Sequence, residues 1–353
     1  MKISTAAFFF IAAVSAPALA AGQATFDQKS GAGSLTESVK AAKSGVPAAS
    51  PAVKGPVAPG LCIFSSAAGG PLSEAEFSAV AGGADALFAG ETHDQMNDHL
   101  AQLEALKALA AARGEKVAVG FEMLNLTLQP VLDEYASGAI SESEFLLKAD
   151  WKKEWGFDFK LYKPLFDLIR EKKLKALALN LPKKVVSKIA RVGLAGLTPE
   201  ERQYLPARVD ITKNEAYIKY MRQTYEGHGK SRAAGTYARF LRDYILGAGT
   251  RAGMGDFTFE NYLAAMSAWN ETMGSRLADF LNANPGYAGL AVAGSGHVIY
   301  NAGIPASVAS RTSGLRLVSF YPQEASTCPA ALPAGDAGLA DYVWYLDHRE
   351  AKK

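Results

Sequence analysis

The stretch Asp85-Ala-Leu-Phe-Ala-Gly-Glu-Thr-His93 carries the first decision about the fold. Asp85–Gly90 is a short apolar run that reads as a buried strand. It ends at once on Glu91 and His93. A helical pattern follows from Gln95 to Arg113, with Leu100, Leu103, Leu106 and Leu109 at the spacing of one apolar face.

Working outward, the same sequence of events recurs. Lys116–Phe121 is a second apolar strand, and it too stops at a carboxylate, Glu122. Helices are expected over Leu128–Ser137 and Ser141–Lys148, the latter opened by Ser141 and Glu144 in a capping-box pattern. Beyond Trp151, Trp155 and Tyr162, a helix to Lys173 leads into the strand Leu174–Leu179, which ends at Asn180-Leu181-Pro182. A mostly helical stretch covers about 183–284 and includes a helix from Phe257 to Leu281. A fourth strand, Gly289–Ala293, ends at Gly294-Ser295-Gly296-His297, and a last one runs through Leu315–Phe320.

Strands alternating with helices predict an α/β fold: a mainly parallel central sheet, flanking helices and an inserted helical subdomain over about 183–284. Ligands of such sheets bind beyond the carboxyl ends of the strands. Those ends carry Glu91, His93, Glu122, Asn180 and His297. Singly, each serves equally well as a helix cap or hydrogen-bond partner; recurring at one end, they predict a polar site. Glu91, His93, Glu122 and His297 suit a divalent ion such as Zn, Mn or Fe. Alternatively, a carboxylate–histidine pair activates water as general base without metal. Both readings stay open.

Several motifs fail. Glu91-x-His93 is not H-E-x-x-H, and the P-loop suggested by Gly229-Lys230-Ser231 has Thr224 where its first glycine belongs. Gly294-Ser295-Gly296 has Ala293 where a hydrolase elbow needs glycine.

The helical stretch has another character. Tyr204, Tyr217, Tyr220, Tyr225, Tyr237 and Tyr244 alternate with Arg222, Arg232, Arg239, Arg242 and Arg251. Aromatics and cations together would hold a flat anionic ligand, with a tyrosinate or His228 as axial ligand to haem iron. Arginines would clamp its carboxylates. The plainer alternative is a helical lid with packed tyrosines and solvated arginines.

The chain has 353 residues and a formal charge of +2, with no basic excess of the kind a general nucleic-acid surface requires. Lys2, the apolar run Ala6–Ala13 and Ala18-Leu19-Ala20 predict a signal peptide cleaved after Ala20. The expected product is exported, periplasmic or secreted. Residue 21 is Ala, so no lipoprotein cysteine stands at the cleavage point. Residues 21–60 read as a tether, since fifteen of the twenty residues from Ala41 to Gly60 are Ala, Gly, Pro or Ser. The folded domain then spans 61–348. Cys62 and Cys328 sit near its two ends. Paired, they would stabilise by about 4 to 5 kcal/mol on a chain-entropy basis; two unrelated thiols fit the spacing equally well.

Seven motifs in order resemble one family: Gly90-Glu-Thr-His93, Phe121-Glu-Met123, Asn180-Leu-Pro182, Trp269-Asn-Glu-Thr-Met273, Gly294-Ser-Gly-His297, Gly303-Ile-Pro305 and Asp341-Tyr-Val-Trp344. Across about residues 84–346 the chain is similar to the ChaN-like haem-binding uptake proteins of the Tiki superfamily. The resemblance implies an α/β fold with a helical subdomain, an iron-acquisition role, haem at a homodimer interface and an outer-membrane uptake partner. It implies a tyrosine as haem ligand, for which Tyr217 is the candidate. Related peptidases and erythromycin esterase-like hydrolases imply metal or acid–base roles for Glu91, His93, Glu122 and His297.

Overall fold

The structure, a computed structural model, describes residues 62–230 and 257–348, with the backbone alone for 227–230. The expected signal peptide and tether lie outside the described residues, as do Tyr237, Tyr244, Arg232, Arg239, Arg242, Arg251 and the side chain of His228.

β1 (Cys62–Ser65) leads to α1 (Glu74–Gly82), then β2 (Ala86–Glu91) and α2 (Met96–Arg113). β3 (Val117–Asn125) is followed by α3 (Gln129–Ala136), α4 (Glu142–Lys148), α5 (Trp151–Glu154) and α6 (Lys163–Lys172). Next come β4 (Lys175–Asn180), α7 (Lys183–Val192), α8 (Pro199–Arg202), α9 (Glu215–Lys230) and α10 (Phe259–Ala283). β5 (Ala288–Gly294), α11 (Ile304–Ala309), β6 (Leu317–Glu324) and β7 (Tyr342–Leu346) complete the described elements. The capping box at α4 forms as its sequence predicts: Ser141 Oγ accepts from the Glu144 amide, and the Glu144 side chain accepts from the Ser141 amide.

The seven strands form one sheet in the order β1-β7-β6-β2-β5-β3-β4. Every pairing is parallel except β1 on β7. All residues of β2 and β5 are buried, because helices cover both faces. β5 inserts between β2 and β3, so consecutive strands of the chain are not neighbours there. This is where such sheets open a crevice at their carboxyl edge. Glu91 registers opposite Gly294, and Phe121 opposite Val292, bringing three polar strand ends side by side.

β1 and β7 were not expected as strands. Each is four or five residues long, and each is completed by the other across the whole length of the domain. The Cys62–Cys328 disulfide joins β1 to the loop between β6 and β7, with Cα atoms 5.7 Å apart. That settles the cysteines in favour of the bridge.

β3 runs four residues further than its apolar run, and the extension is irregular. Its register against β4 shifts between Phe121 and Asn125, a bulge that bends the strand where Glu122 sits. Asn180 stitches the bulge, donating from Nδ2 to the Glu122 carbonyl at 2.6 Å. The free edge of β4 is closed by one side chain: Gln129 donates to Ala176 O at 2.9 Å and accepts from Ala178 N at 2.8 Å. It thereby imitates the backbone of an eighth strand.

Beneath α3, α4 and α6 lies an aromatic core, with Phe121 and Phe166 stacked at 4.5 Å and Tyr135 and Phe145 at 4.4 Å. Within the helical stretch, α10 packs against α7, α11, β4 and β5. Most of its residues are buried, Trp269, Met273 and Leu277 completely.

Candidate functional site

The carboxyl ends of β2, β5, β3 and β4 hold two buried carboxylate–histidine pairs. Glu91, His93, Glu122 and His297 are each at most 4% exposed. Burying a charge is costly unless it is paired and hydrogen-bonded, so each partner has to be accounted for.

Glu91 ends β2 inside a closed shell of donors. Its Oε1 accepts from His93 Nδ1 and from the Tyr162 hydroxyl, both at 2.7 Å. Its Oε2 accepts from Gln102 Nε2 at 2.9 Å and faces His99 Nδ1 at 3.3 Å. His99 meets acceptors on both sides: Nδ1 lies 3.3 Å from Glu91 and from Gln102 Oε1, and Nε2 lies 3.2 Å from the His93 carbonyl. Such surroundings favour a proton on each nitrogen and so the imidazolium form of His99. Burial opposes that charge, but Glu91 overcomes it and the His99 pKa is raised. Burial likewise opposes the Glu91 charge, yet His99 and His93 hold its carboxyl well below the usual range. Trp155 Nε1 donates to the Tyr162 hydroxyl at 3.0 Å, and burial plus the Glu91 charge push that phenol far up. Tyr162 is therefore a fixed donor.

Glu122 makes the second pair. Its Oε2 accepts from the Gly294 amide at 2.6 Å, and its Oε1 lies 3.3 Å from His297 Nε2. Burial works against its charge, but His297 and then His93 outweigh that and lower its pKa. The orientation of Asn270 fixes the far side. Tyr217 donates its hydroxyl to Gly296 O at 3.0 Å, so it must accept from Asn270 Nδ2 at 2.9 Å. Asn270 Oδ1 then faces His297 Nδ1 at 2.7 Å, placing a proton on that nitrogen. The pairs meet at Gly294. A Cβ there would come within 2.7 Å of His93 Cε1 and 3.5 Å of Glu122 Oε2. Glycine is required for space at this point, since its φ of −55° suits any residue.

Glu91, His93, Glu122 and His297 are thus brought together, but their lone pairs and protons are directed at one another. Both Glu91 oxygens are saturated, and His297 has an acceptor at each nitrogen. Among the described residues no group of three or more His, Cys, Asp or Glu side chains is arranged to hold a metal ion. The donor set does not fit the expected metal centre.

Two further candidate residues are turned inward. Asn180 is fully buried, with its amide on Glu122 O and its oxygen on the Leu181 amide. Tyr217 offers no open oxygen to haem iron. Its ring is fully buried, both hydroxyl hydrogen bonds are internal, and burial raises its pKa well above that of an ordinary phenol. Ligation there would require dismantling this packing.

Beside these pairs stand phenols that remain half-buried. Tyr220 of α9 and Tyr300, after β5, meet edge to face at 6.5 Å. The Tyr220 ring and hydroxyl come within 3.9 Å of where a Cβ on Gly296 would lie, with the Met221 methyl beside them. Tyr321 of β6 is near enough for both phenols to help burial raise its pKa. The sequence assigned no role to Tyr300, His99, Gln102, Tyr162 or Asn270. Asp98, His99 and Gln102 on the buried face of α2 were the available signal, being polar where the helical pattern calls for apolar residues.

Comparison with known proteins comes to bear on this geometry. ChaN of Campylobacter jejuni, whose structure is described as showing cofacial haem binding, is 18% identical with a TM-score of 0.58, covering 82% of this chain and 98% of that one. A type III effector, HopBA1, is 9% identical with a TM-score of 0.43, over 77% of this chain and 92% of that one. An erythromycin esterase mutant in its open conformation is 14% identical with a TM-score of 0.41, over 81% and 83%. At these identities the likeness to ChaN establishes the fold alone, and the two lower scores carry no argument. No curated protein matches the sequence. A family model described as haem-binding uptake, Tiki superfamily, ChaN matches residues 78–308, nearly two thirds of the sequence and all four strand ends of the site, and the chain belongs to that family.

Proposed function

We propose that this protein is exported and binds haem for iron uptake, with the half-buried phenols of Tyr220 and Tyr300 facing the porphyrin. Membership of the haem-binding uptake family carries the reading. The local chemistry supports it: phenol oxygens are hard donors suited to ferric iron, and tyrosine is an established axial ligand of haem. When bound, haem supplies the ferric centre. Tyr220 and Tyr300 bind and orient it, while Tyr217, Asn270, His297 and Glu122 hold Gly296 rigid beneath Tyr220. On this reading the Glu/His cluster is a brace for the binding face.

The solved ChaN binds haem cofacially, by its description. Pairing of two copies of this chain on loading is therefore part of the proposal, as is an outer-membrane uptake partner. The sequence features around Ala18-Leu19-Ala20 support export, and the Cys62–Cys328 disulfide supports an oxidising compartment.

The test is a haem titration of the purified protein. Saturable binding with a Soret band distinct from that of free haem is expected. Absorbance that rises linearly without saturation would end the proposal. Burial and the neighbouring Tyr300 raise the Tyr220 pKa, and ligation requires loss of that proton. Affinity should therefore rise with pH, by up to about tenfold per unit for one released proton.

A further inference from the structure

The Cys62–Cys328 disulfide anchors more than two strands. Cys328 is exposed in the segment 325–341 between β6 and β7, while Cys62 is buried in β1. The far end of that segment grips the residues beside the phenols. Leu339 O accepts the Tyr300 amide at 2.6 Å, and Asp341 Oδ1 accepts from Asn301 Nδ2 at 2.9 Å. Asp341 is itself held by Ser319, accepting from its amide at 3.0 Å and donating to its hydroxyl at 2.9 Å. Asp336 accepts from the Tyr345 hydroxyl at 2.7 Å.

What this grip maintains is unusual. Tyr300 and Asn301 are consecutive non-glycine residues in the left-handed region, at φ of 59° and 55°. Such conformations persist only where the surroundings over-determine them, and they cluster at functional sites. Here the determinants are the segment 325–341 and its anchors, and the residue held is one of the two phenols assigned to haem.

We propose that the Cys62–Cys328 disulfide regulates haem retention: oxidised, it keeps the 325–341 strap in place and Tyr300 set toward the ligand; reduced, it lets the strap loosen and haem leave. This rests on the haem reading above. In the step, a dithiol reductant gives two electrons and two protons to the S–S bond. Two protein thiols form, and the reductant closes to its own disulfide. Exposure of Cys328 gives the reductant access. An exported carrier would thus hold haem in an oxidising compartment and yield it to a reducing one.

The experiment compares haem affinity of the wild type with the Cys62→Ser/Cys328→Ser variant, which avoids any reaction of reductant with haem. The variant should bind about tenfold to a hundredfold more weakly, the range expected when one or two strained residues are released. Adding Tyr300→Phe to both backgrounds should abolish the difference, as a double-mutant cycle requires for coupled groups. Equal affinity of wild type and serine variant would overturn the proposal, as would a difference that survives Tyr300→Phe. If the serine variant fails to fold, Asn301→Gly decides: it frees this backbone from the Asp341 contact with the disulfide intact. Weakened haem binding supports the strap, and wild-type affinity overturns it. Absence of haem binding by the oxidised wild type would instead remove the haem reading itself.

Discussion

Single side chains decide whether a buried charge is tolerable here. Glu91 accepts four contacts from His93, Tyr162, Gln102 and His99, and each relieves part of the cost of burial. Tyr162→Phe keeps the ring and removes both the hydrogen bond to the carboxylate and the acceptor of Trp155 Nε1. It should destabilise by about 1.5 to 3 kcal/mol, the usual worth of a hydrogen bond to a charged group. Urea denaturation with an unchanged m-value would check this, and an unaltered midpoint would count against the shell as described. At this scale the sequence was partly legible. Glu91, His93, Glu122 and His297 stand out because polar residues directly after buried strands are conspicuous. Their partners do not. Tyr162 and Asn270 come from loops and helices far along the chain, and only the folded packing shows which of many tyrosines and asparagines is aimed inward. Tyr217 shows the same limit: residue type suggests a ligand, whereas the fold buries its ring and commits its hydroxyl to Gly296 and Asn270.

At the level of elements, β2, β3 and β5 were readable as apolar runs buried on both faces, and β4 and β6 as apolar runs with partly exposed ends. β1 and β7 were not, since neither is long enough to show a period, and their pairing spans the domain. The bulge in β3 was equally silent, being set by Asn180 reaching across from the next strand. The edge of β4 makes a separate prediction. Gln129 satisfies two backbone groups that would otherwise invite another strand. Gln129→Ala should cost about 1 to 2 kcal/mol and increase self-association. Denaturation together with light scattering would measure both effects. A variant as stable and as monodisperse as the wild type would mean that water serves this edge equally well.

For the whole molecule, stability should depend on pH in a way set by these buried pairs. Glu91 and Glu122 have lowered pKa values in the fold, so their contribution is present above about pH 4.3 and lost as pH falls through the folded values. His99 has a raised value. So does His348, chiefly through its hydrogen bond to Asp98. Their contribution is complete below about pH 6.5 and is lost as pH rises through the folded values. The thermal midpoint should therefore be highest between about pH 4.3 and 6.5, and scanning calorimetry across pH 3 to 9 would reveal that plateau. A midpoint still climbing beyond the histidine range would refute it. The disulfide ties this unit across 266 residues, and the segment it anchors leads to Tyr300 on the face proposed to bind haem. The central claim concerns that face. It is tested most directly by titrating haem into the wild type and into a Tyr220→Phe/Tyr300→Phe variant, following the Soret band. The account predicts saturable binding by the wild type, and at least about a tenfold loss of affinity with a shifted Soret maximum in the variant. Identical titrations for the two proteins would contradict it.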